Sequence, residues 1–288
     1  MMHRRRLVAT YGGGAYEGPL DIVPGAVVAY GQRALSAAKL GTALYTIRET
    51  AGDTTQSFSS DAVTGDAPVA DIITFLNGSN GFVRTWVDQG VSASNLQNTT
   101  DAQQPKWLAS VSNSKPGFGN NEAALGEARL FFQDEITFAS AGCTIFWVGI
   151  STEEVPTISI SNAANSEYVS FQAWSVDPRI DRYVDPNQAG GKYSDTLGAG
   201  AHIIDAAWEY GSKNLRVDGV TKTLSIDYDS GGALSGFTGD ANEYSYALIS
   251  ESGTGNRALE IIVYDGVLTD QQRSDIRTNI ATYYGITL

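Results

Sequence analysis

The sequence predicts an all-β sandwich that ends in one short helix. Short runs of β-branched and aromatic residues, separated by clusters of glycine, asparagine, aspartate and serine, recur through the second half of the chain, which is the pattern of antiparallel sheets. The last of these runs, residues 258–264, leads through Asp265-Gly266 into a helical pattern. With 288 residues, 42% of them hydrophobic, the chain is long enough to bury the core of one such domain.

The final helix is defined by signals at both of its ends. Thr269 is a favourable N-cap, and Gln272 three residues later completes a capping box. Apolar side chains recur at helical spacing over residues 276–284, and Gly285 is a residue type that commonly ends a helix. We therefore predict a single capped helix after the last strand.

The remaining elements are predicted from shorter patterns. Asp218-Gly219, between two β-rich runs, predicts a tight hairpin. Pro68, followed by apolar residues at helical spacing, predicts a helix that ends near Asn77-Gly78, and residues 34–38 allow a short helical turn. The strands predicted in the second half span residues 144–150, 157–160, 168–174, 202–210, 214–217, 224–228 and 244–250.

Composition argues against several classes of function. The chain carries 32 acidic and 19 basic residues, a formal net charge of -13, so its surface should repel phosphate backbones and no nucleic-acid partner is expected. Cys143 is the only cysteine, which rules out an intrachain disulfide and a cysteine-based zinc site. His3 and His202 are too few for a histidine metal cluster. Leu7-Val8-Ala9 is too short for the apolar core of a signal peptide, and no membrane partner is expected.

The beginning of the chain predicts an attachment arm. Arg4-Arg5-Arg6 is a basic cluster on an acidic protein, and Gly12-Gly13-Gly14 follows as a flexible joint that lacks the context of a phosphate loop. The arginines can dock on an acidic neighbouring protein, or they can belong to a solvated terminus. We predict residues 1–18 as the arm and residues 19–288 as the domain.

Several segments follow one order that resembles a known module. In the first half they are Gly25-Ala26-Val27-Val28-Ala29-Tyr30, Arg33-Ala34-Leu35, Leu44-Tyr45-Thr46-Ile47-Arg48, Ile72 to Phe75, Gly81-Phe82-Val83-Arg84-Thr85-Trp86-Val87-Asp88-Gln89, and Gln104-Pro105. In the second half a laminin-G-like signature is carried by Trp208 and Tyr210, Leu215-Arg216-Val217-Asp218-Gly219-Val220, and Glu260-Ile261-Ile262-Val263-Tyr264 before Leu268.

This order resembles the concanavalin A-like module of tailed-phage and prophage virion proteins, which is also similar to the catalytic domain of arabinofuranosidase B enzymes. The resemblance covers roughly residues 19–288. It implies a concanavalin A-like two-sheet jelly-roll sandwich with a short C-terminal helix and a few small helices.

The resemblance also implies a scaffold without the enzyme's catalytic parts. The arabinofuranosidase family carries a glutamate nucleophile in an Asp-Leu-Glu-Asn-Gly segment and an adjacent cysteine pair, and this sequence contains neither. The family's tryptophan, tyrosine, aspartate, glutamine, serine, glycine run survives only as Trp86-Val87-Asp88-Gln89-Gly90. The alternative is a glycoside hydrolase with relocated carboxylates, for which the candidates are Asp177, Asp181, Asp185, Glu167 and Glu209.

The segment from Asp177 to Lys192 is predicted to be an exposed binding loop. Aromatic faces suit the C–H face of a sugar ring, and amide or carboxylate groups suit its hydroxyls. The candidate glycan-binding residues are Trp174, Arg179, Arg182, Tyr183, Asp185, Asn187, Gln188 and Tyr193. Trp174 also continues the strand alternation of Tyr168, Ser170 and Gln172, so it can instead belong to the core. Weaker calcium candidates are Asp177, Asp181 and Asp185, and no other cofactor is expected.

The predicted function is that of a non-enzymatic virion protein of a tailed phage or a phage-derived particle. Its predicted place is the exterior of the head or tail, as a spike, decoration, fibre or baseplate component. The expected partners are other virion proteins, through the N-terminal arm, and host-surface polysaccharide. Spikes and fibres are commonly homo-oligomers, but the sequence has no heptad or other assembly signal, so the copy number stays open.

Overall fold

The computed structural model describes residues 15–120, 127–152, 157–162, 164, 167–173, 178–184, 187–193, 196–209, 211–230, 236–250 and 255–288. In this part of the chain the helices are α1 Pro19–Ile22, α2 Val69–Leu76 and α3 Asp270–Tyr284, with 3₁₀ turns at Ala37–Lys39 and Asp101–Gln103. The strands are β1 Ala26–Gly31, β2 Ala43–Glu49, β3 Thr55–Ser59, β4 Gly81–Trp86, β5 Leu96–Gln97, β6 Lys106–Ser112, β7 Lys115–Gly119, β8 Ala128–Phe132, β9 Ile136–Phe138, β10 Cys143–Ile150, β11 Thr157–Ser161, β12 Glu167–Gln172, β13 Arg179–Val184, β14 Asn187–Lys192, β15 His202–Glu209, β16 Ser212–Val217, β17 Val220–Lys222, β18 Ile226–Ser230, β19 Phe237–Gly239, β20 Tyr246–Ser250 and β21 Arg257–Asp265. The predicted all-β class is confirmed.

The strands form two large sheets. Sheet A runs β1–β21–β10–β15–β16–β17, and its described pairs are antiparallel. Sheet B runs β3–β2–β4–β5–β8–β20–β11–β12–β13–β14–β18, also with antiparallel pairs. β6 and β7 join the two, because β6 pairs with β4 and with β7, and β7 pairs with the beginning of β21. β9 and β19 form a separate pair.

The main hydrophobic core lies between sheets A and B. It gathers inward-facing aliphatic and aromatic side chains from both sheets, and the single cysteine, Cys143, is buried there. Trp86, Trp107, Trp147 and Trp208 are at most 5% exposed. Their assignment to the core from apolar sequence context is confirmed.

Helix α3 covers the outer face of sheet A. Phe146 and Ile262 alternate with core-facing neighbours along their strands and therefore point away from sheet B. Ile276, Ile280 and Tyr284 of α3 pack in the same buried cluster as these two residues. The helix is held by an apolar stripe at the spacing that the sequence predicts.

A buried ion network fastens the same helix to sheet A. Asp205 of β15 is fully buried. Arg273 Nε donates to one of its carboxylate oxygens at 2.6 Å, and Arg277 Nη1 donates to the other at 2.9 Å. The two arginines are four residues apart and so lie on one side of the helix. Both oxygens of this carboxylate therefore have partners.

The outer face of sheet B carries polar and aromatic side chains instead. Cross-strand pairing places one continuous row of residues on this face. The row contains Thr46, Thr85, Gln97, Phe131, Tyr246, Ser159, Ser170 and Asp181. The three described helices pack elsewhere, α1 and α3 over sheet A and α2 against the main core.

The segment Trp86 to Gln89, which carries part of the family resemblance, hydrogen-bonds to the main chain of β1 and of residues 33–35. Asp88 Oδ1 accepts from the Ala29 N–H at 2.7 Å, and Gln89 hydrogen-bonds the main chain of residues 33–35 through both ends of its amide. Trp86 Nε1 donates to a carbonyl of β1 at 3.1 Å. These side chains fix β1 and the segment after it, which gives this run a role in folding.

Most local predictions are confirmed. Helix α2 ends at Asn77, whose φ is 45°, and the hairpin of β16 and β17 turns at Asp218-Gly219 with φ of 50° and 80°. The turn predicted at residues 34–38 is displaced to Ala37–Lys39. The Leu35 carbonyl, which a helical turn over these residues would use as an acceptor, instead accepts from the Leu20 N–H at 2.8 Å.

The ends of α3 also match the prediction. Thr269 Oγ1 accepts from the Gln272 N–H at 3.3 Å, and Gly285 follows the helix with φ of 66°. Among the described helices, none combines the length and apolar character needed to cross a membrane.

Candidate functional site

The segment predicted as a loop from Asp177 to Lys192 is a β-hairpin in its described part. β13 pairs with β12 on one side and with β14 on the other, and β14 pairs in turn with β18. The loop prediction is therefore wrong. Its glycines and polar residues resemble a loop in isolation, but neighbouring strands satisfy their main-chain groups within the sheet.

The register of the sheet determines which residues of this hairpin share a face. Ser159 of β11 pairs with Ser170 of β12, and Ser170 pairs with Asp181 of β13. Directly paired residues point to the same side of a sheet. Their chain neighbours, such as Phe171 and Ile180, are buried in the main core. Asp181 and its row therefore face outward from sheet B.

A shallow groove of about 320 Å³ lies on this outer face. It is lined by hydroxyl, amide, carboxylate and guanidinium groups and by one tyrosine ring. The lining residues are Ser159, Tyr168, Ser170, Gln172, Arg179 and Asp181. The groove thus combines an aromatic surface with several hydrogen-bonding groups from three adjacent strands.

Asp181 is the charged acceptor of the groove. The residue is 3% exposed, and its Oδ2 lies 2.6 Å from Arg179 Nε. Its Oδ1 is buried and has no hydrogen-bond partner among the described residues, and the same holds for Oε1 of Gln172. A buried acceptor without a partner costs about 1–3 kcal/mol. Such atoms call for a water or a ligand.

Burial also changes the acidity of this carboxylate. Loss of solvent raises the pKa of the Asp181 carboxyl above its ordinary value, and the neighbouring Arg179 guanidinium offsets part of that rise. The ion pair stabilises the charge of Asp181 only in part, because the Arg179 side chain is 36% exposed. A ligand that donates a hydrogen bond to Oδ1 would stabilise the charged form of this carboxylate.

The structure distributes the predicted glycan-binding residues unevenly. Arg179 lines the groove, together with Asp181, which the sequence suggests as a calcium ligand or a catalytic carboxylate. By main-chain register, Tyr183 and Gln188 continue the cross-strand row of Tyr168. Arg182 pairs with the core residue Val169, and Asn187 pairs with Val184 at the end of the hairpin. Trp174, Asp177 and Asp185 lie outside the described residues.

Tyr193 is not brought into the groove. Its ring packs against the core cluster, and Lys222 Nζ lies 5.4 Å from the ring centroid. The attachment-arm residues Arg4, Arg5 and Arg6 lie outside the described residues. Within the described residues no cluster of potential metal ligands is present, and two of the three calcium candidates, Asp177 and Asp185, fall outside them.

The sequence prediction did not associate four of the groove residues with the site: Ser159, Tyr168, Ser170 and Gln172. Their signal was the alternation of polar and apolar residues along β11 and β12. The alternation of Tyr168, Ser170 and Gln172 with Trp174 leaves open that Trp174 belongs to the core, and Trp174 lies outside the described residues. The other three residues lie on the outward face, because Val169 and Phe171 face the core.

The two other candidate carboxylates that the structure describes, Glu167 and Glu209, do not join Asp181 in the groove. Glu167 accepts from Asn162 Nδ2 at 3.2 Å at the beginning of β12. Glu209 ends β15 in sheet A, where its main chain pairs with Ser212. Among the described residues that line the groove, Asp181 is the one carboxylate.

A second cleft, of about 770 Å³, lies beside α3 and is explained by packing. Arg33 in this cleft pairs with the buried Glu260 and donates to Asn279 at 2.8 Å. Lys115 pairs with Asp66 at 2.8 Å. The Arg33–Asn279 hydrogen bond ties α3 to the chain around it. Arg33, Lys115 and Asp66 of the cleft are thus already paired within the protein.

Comparison with known proteins supports the architecture. No family model and no curated protein matches the chain. Among solved structures, a GH54 α-L-arabinofuranosidase soaked with a cyclic sulfate inhibitor superposes with a TM-score of 0.64 at 15% identity, covering 93% of this chain and 65% of that chain. An arabinofuranosidase complexed with arabinofuranosyl-α-1,2-xylobiose gives 0.63, with the same identity and coverage.

A domain of a GH43 extracellular arabinanase from Geobacillus stearothermophilus, in complex with arabinotriose, gives a TM-score of 0.35 at 12% identity, covering 88% of this chain and 98% of that one. The chain spans less than two thirds of the length of the arabinofuranosidase structures. At this identity the likeness establishes the fold: the chain is an all-β sandwich of the kind on which those arabinofuranosidases are built.

Proposed function

We propose that this chain is a non-enzymatic carbohydrate-binding protein whose glycan binds in the groove on the outer face of sheet B. The observation that carries the proposal is the Asp181 carboxylate, which is buried at the groove with one oxygen unpartnered among the described residues. A sugar supplies adjacent hydroxyl donors for that oxygen and for Oε1 of Gln172. The Tyr168 ring offers a surface for the C–H face of the same sugar.

The setting that we propose is the exterior of a tailed-phage virion or a phage-derived particle. This part of the proposal rests on the resemblance of residues 19–288 to virion modules. Residues 1–18 would attach the protein to its neighbour through Arg4-Arg5-Arg6, and the domain would face the host surface. Residues 16–18 already contact the domain, since the Gly18 N–H donates to Asp21 at 2.9 Å and the Glu17 carbonyl accepts from Asn279.

Binding without hydrolysis is favoured over glycoside hydrolysis by the carboxylates of the groove. A retaining glycosidase places two carboxyl groups about 5 Å apart, and an inverting one about 6.5–9.5 Å apart. The described lining of the groove contains Asp181 alone. The arabinofuranosidases of similar fold keep hydrolysis as the second candidate function, and one of them was solved with an arabinose-containing oligosaccharide.

The first experiment measures glycan binding and hydrolysis with the same samples. Purified protein is titrated with host capsular polysaccharide and with arabinan by calorimetry, and released sugar is measured after prolonged incubation. We expect binding without release, and we expect Asp181→Asn to weaken binding about ten- to a hundredfold, the loss of one hydrogen bond to a charged group. Asp275→Asn, an exposed carboxylate on α3, is the matched control and should bind as the native protein does.

The outcomes separate the two candidates. Release of sugar that Asp181→Asn abolishes would establish a hydrolase and refute the non-enzymatic proposal. Equal binding by native protein and Asp181→Asn would remove the groove as the glycan site.

The attachment arm is tested independently of the groove. Deletion of residues 1–14 should abolish incorporation into particles while the thermal unfolding temperature stays unchanged, because the deletion keeps the contacts of Tyr16 and Gly18 with the domain. Incorporation is measured by quantitative immunoblotting of purified particles. Normal incorporation of the deleted form would contradict the arm.

A further inference from the structure

The groove at Asp181 is one end of a longer row on the outer face of sheet B. The row continues from Asp181 through Ser170 and Ser159 to Tyr246 of β20 and Phe131 of β8. These residues are directly paired across five adjacent strands. Four inter-strand spacings amount to about 19 Å, which several linked sugar rings can cover and one ring cannot.

The side chains along this row form a channel with aromatic groups at its far end. Ser159 and Ser170 are short, so the floor is low between Asp181 and Tyr246. The Tyr246 ring is half-buried, and the Cζ of Arg129 lies over it, 4.4 Å from the ring centroid. This contact holds the ring in place and lowers the entropy lost when a ligand packs on it.

A second concave region marks the same end of the row. Phe131 lines a groove of about 360 Å³ together with residues of the turn around Asn242. The row therefore joins two grooves, one with buried acceptors at Asp181 and one at Phe131, and Tyr246 lies between them. A single sugar fills only one of them.

We propose that the site recognises an internal stretch of a linear polysaccharide that lies across the strands, from Asp181 along Ser170 and Ser159 to Tyr246 and Phe131. This inference rests on the proposed carbohydrate-binding function and adds the direction and length of the ligand. The acceptors at Asp181 bind the hydroxyls of one sugar, and the aromatic end packs on a sugar several units further along the same chain.

The test uses size-fractionated fragments of arabinan and of host capsular polysaccharide, from one to six sugar units, titrated against the full chain. Affinity should increase with length until the row is filled and then stay constant. Tyr246→Ala should weaken binding of the hexasaccharide about tenfold and leave the monosaccharide unchanged. Val220→Ala is the control, because Val220 is an apolar side chain on β17 of sheet A, away from the row, and is 57% exposed.

A second variant protects the test from a folding defect in Tyr246→Ala. Phe131→Ala removes the other aromatic group at the far end of the row, outside the Asp181 groove, and should remove the gain in affinity with length while short fragments still bind. Binding that is independent of length, or a length dependence that survives both variants, overturns the cross-strand site and leaves the carbohydrate-binding function standing. Failure of every fragment to bind refutes that function as well.

Discussion

Asp205 and Asp181 are both buried aspartates on central strands, but their surroundings differ. Asp205 points from sheet A toward α3, where Arg273 and Arg277 satisfy both carboxylate oxygens. Asp181 points outward from sheet B, where one oxygen meets Arg179 and the other has no partner among the described residues. A helix covers the first carboxylate, and a groove lies over the second.

The difference shows how burial alone fails to identify a functional residue. A buried charge that is fully paired belongs to the structure, because its removal leaves the partners unpaired. A buried charge with an unused acceptor reduces stability in the free protein and gains a partner when a ligand binds. The number of hydrogen-bond partners therefore distinguishes the structural carboxylate, Asp205, from the candidate binding group, Asp181.

The largest effect is expected at the fully paired site. Asp205→Asn leaves Arg273 and Arg277, 2% and 6% exposed, buried without a countercharge and should lower the free energy of unfolding by about 3–5 kcal/mol. Urea denaturation followed by tryptophan fluorescence measures this loss. A loss below about 1 kcal/mol would mean that α3 is held by its apolar stripe alone, and it would contradict a stabilising role for the Asp205 ion network.

The same substitution at the groove should act in the opposite direction. Asp181→Asn removes a poorly solvated charge, and the exposed part of Arg179 remains in water, so the free energy of unfolding should stay equal or rise by about 1 kcal/mol. The same denaturation experiment applies. A clear loss of stability would show that the Arg179 pair holds the hairpin of β13 and β14 together, and it would assign Asp181 a structural role.

The smallest expected effect is a pH dependence of the stability that Asp181→Asn adds. Burial raises the pKa of Asp181 in the folded state, so between the unfolded and folded pKa values the native protein binds more protons than the unfolded chain. The contribution of Asp181 to stability therefore falls as pH rises through this window. The difference in melting temperature between Asp181→Asn and the native protein should be larger at pH 8 than at pH 4. A constant difference would contradict the raised pKa.

Elements with local signals were predictable from the sequence. The caps of α3, the end of α2 at Asn77 and the turn at Asp218-Gly219 each depend on residues within about four positions of one another, and the structure confirms them. The buried tryptophans followed from their apolar neighbours. The hairpin of β13 and β14 was missed, because its stability comes from pairing with β12 and β18, and β18 is distant in the chain.

The candidate site was predictable only in part. Arg179 was selected as a glycan-binding residue, and Asp181 as a calcium ligand or a catalytic carboxylate; both line the groove. Ser159 and Tyr246 could not be associated with them, since the row that joins these residues depends on the pairing of strands far apart in sequence.

By itself, the sequence determined the all-β class, the capped helix and the alternation that assigns neighbouring residues to opposite faces of a strand. These properties depend on backbone geometry and on interactions between residues close in the chain. The tertiary structure alone decided that α3 covers sheet A and that a groove lies on sheet B. It also decided that Asp205, 68 residues from Arg273, is fully paired while Asp181 is not. Which residues become partners over such a distance along the chain depends on how the sheets pack, because local propensity carries no information about which distant strand will be adjacent.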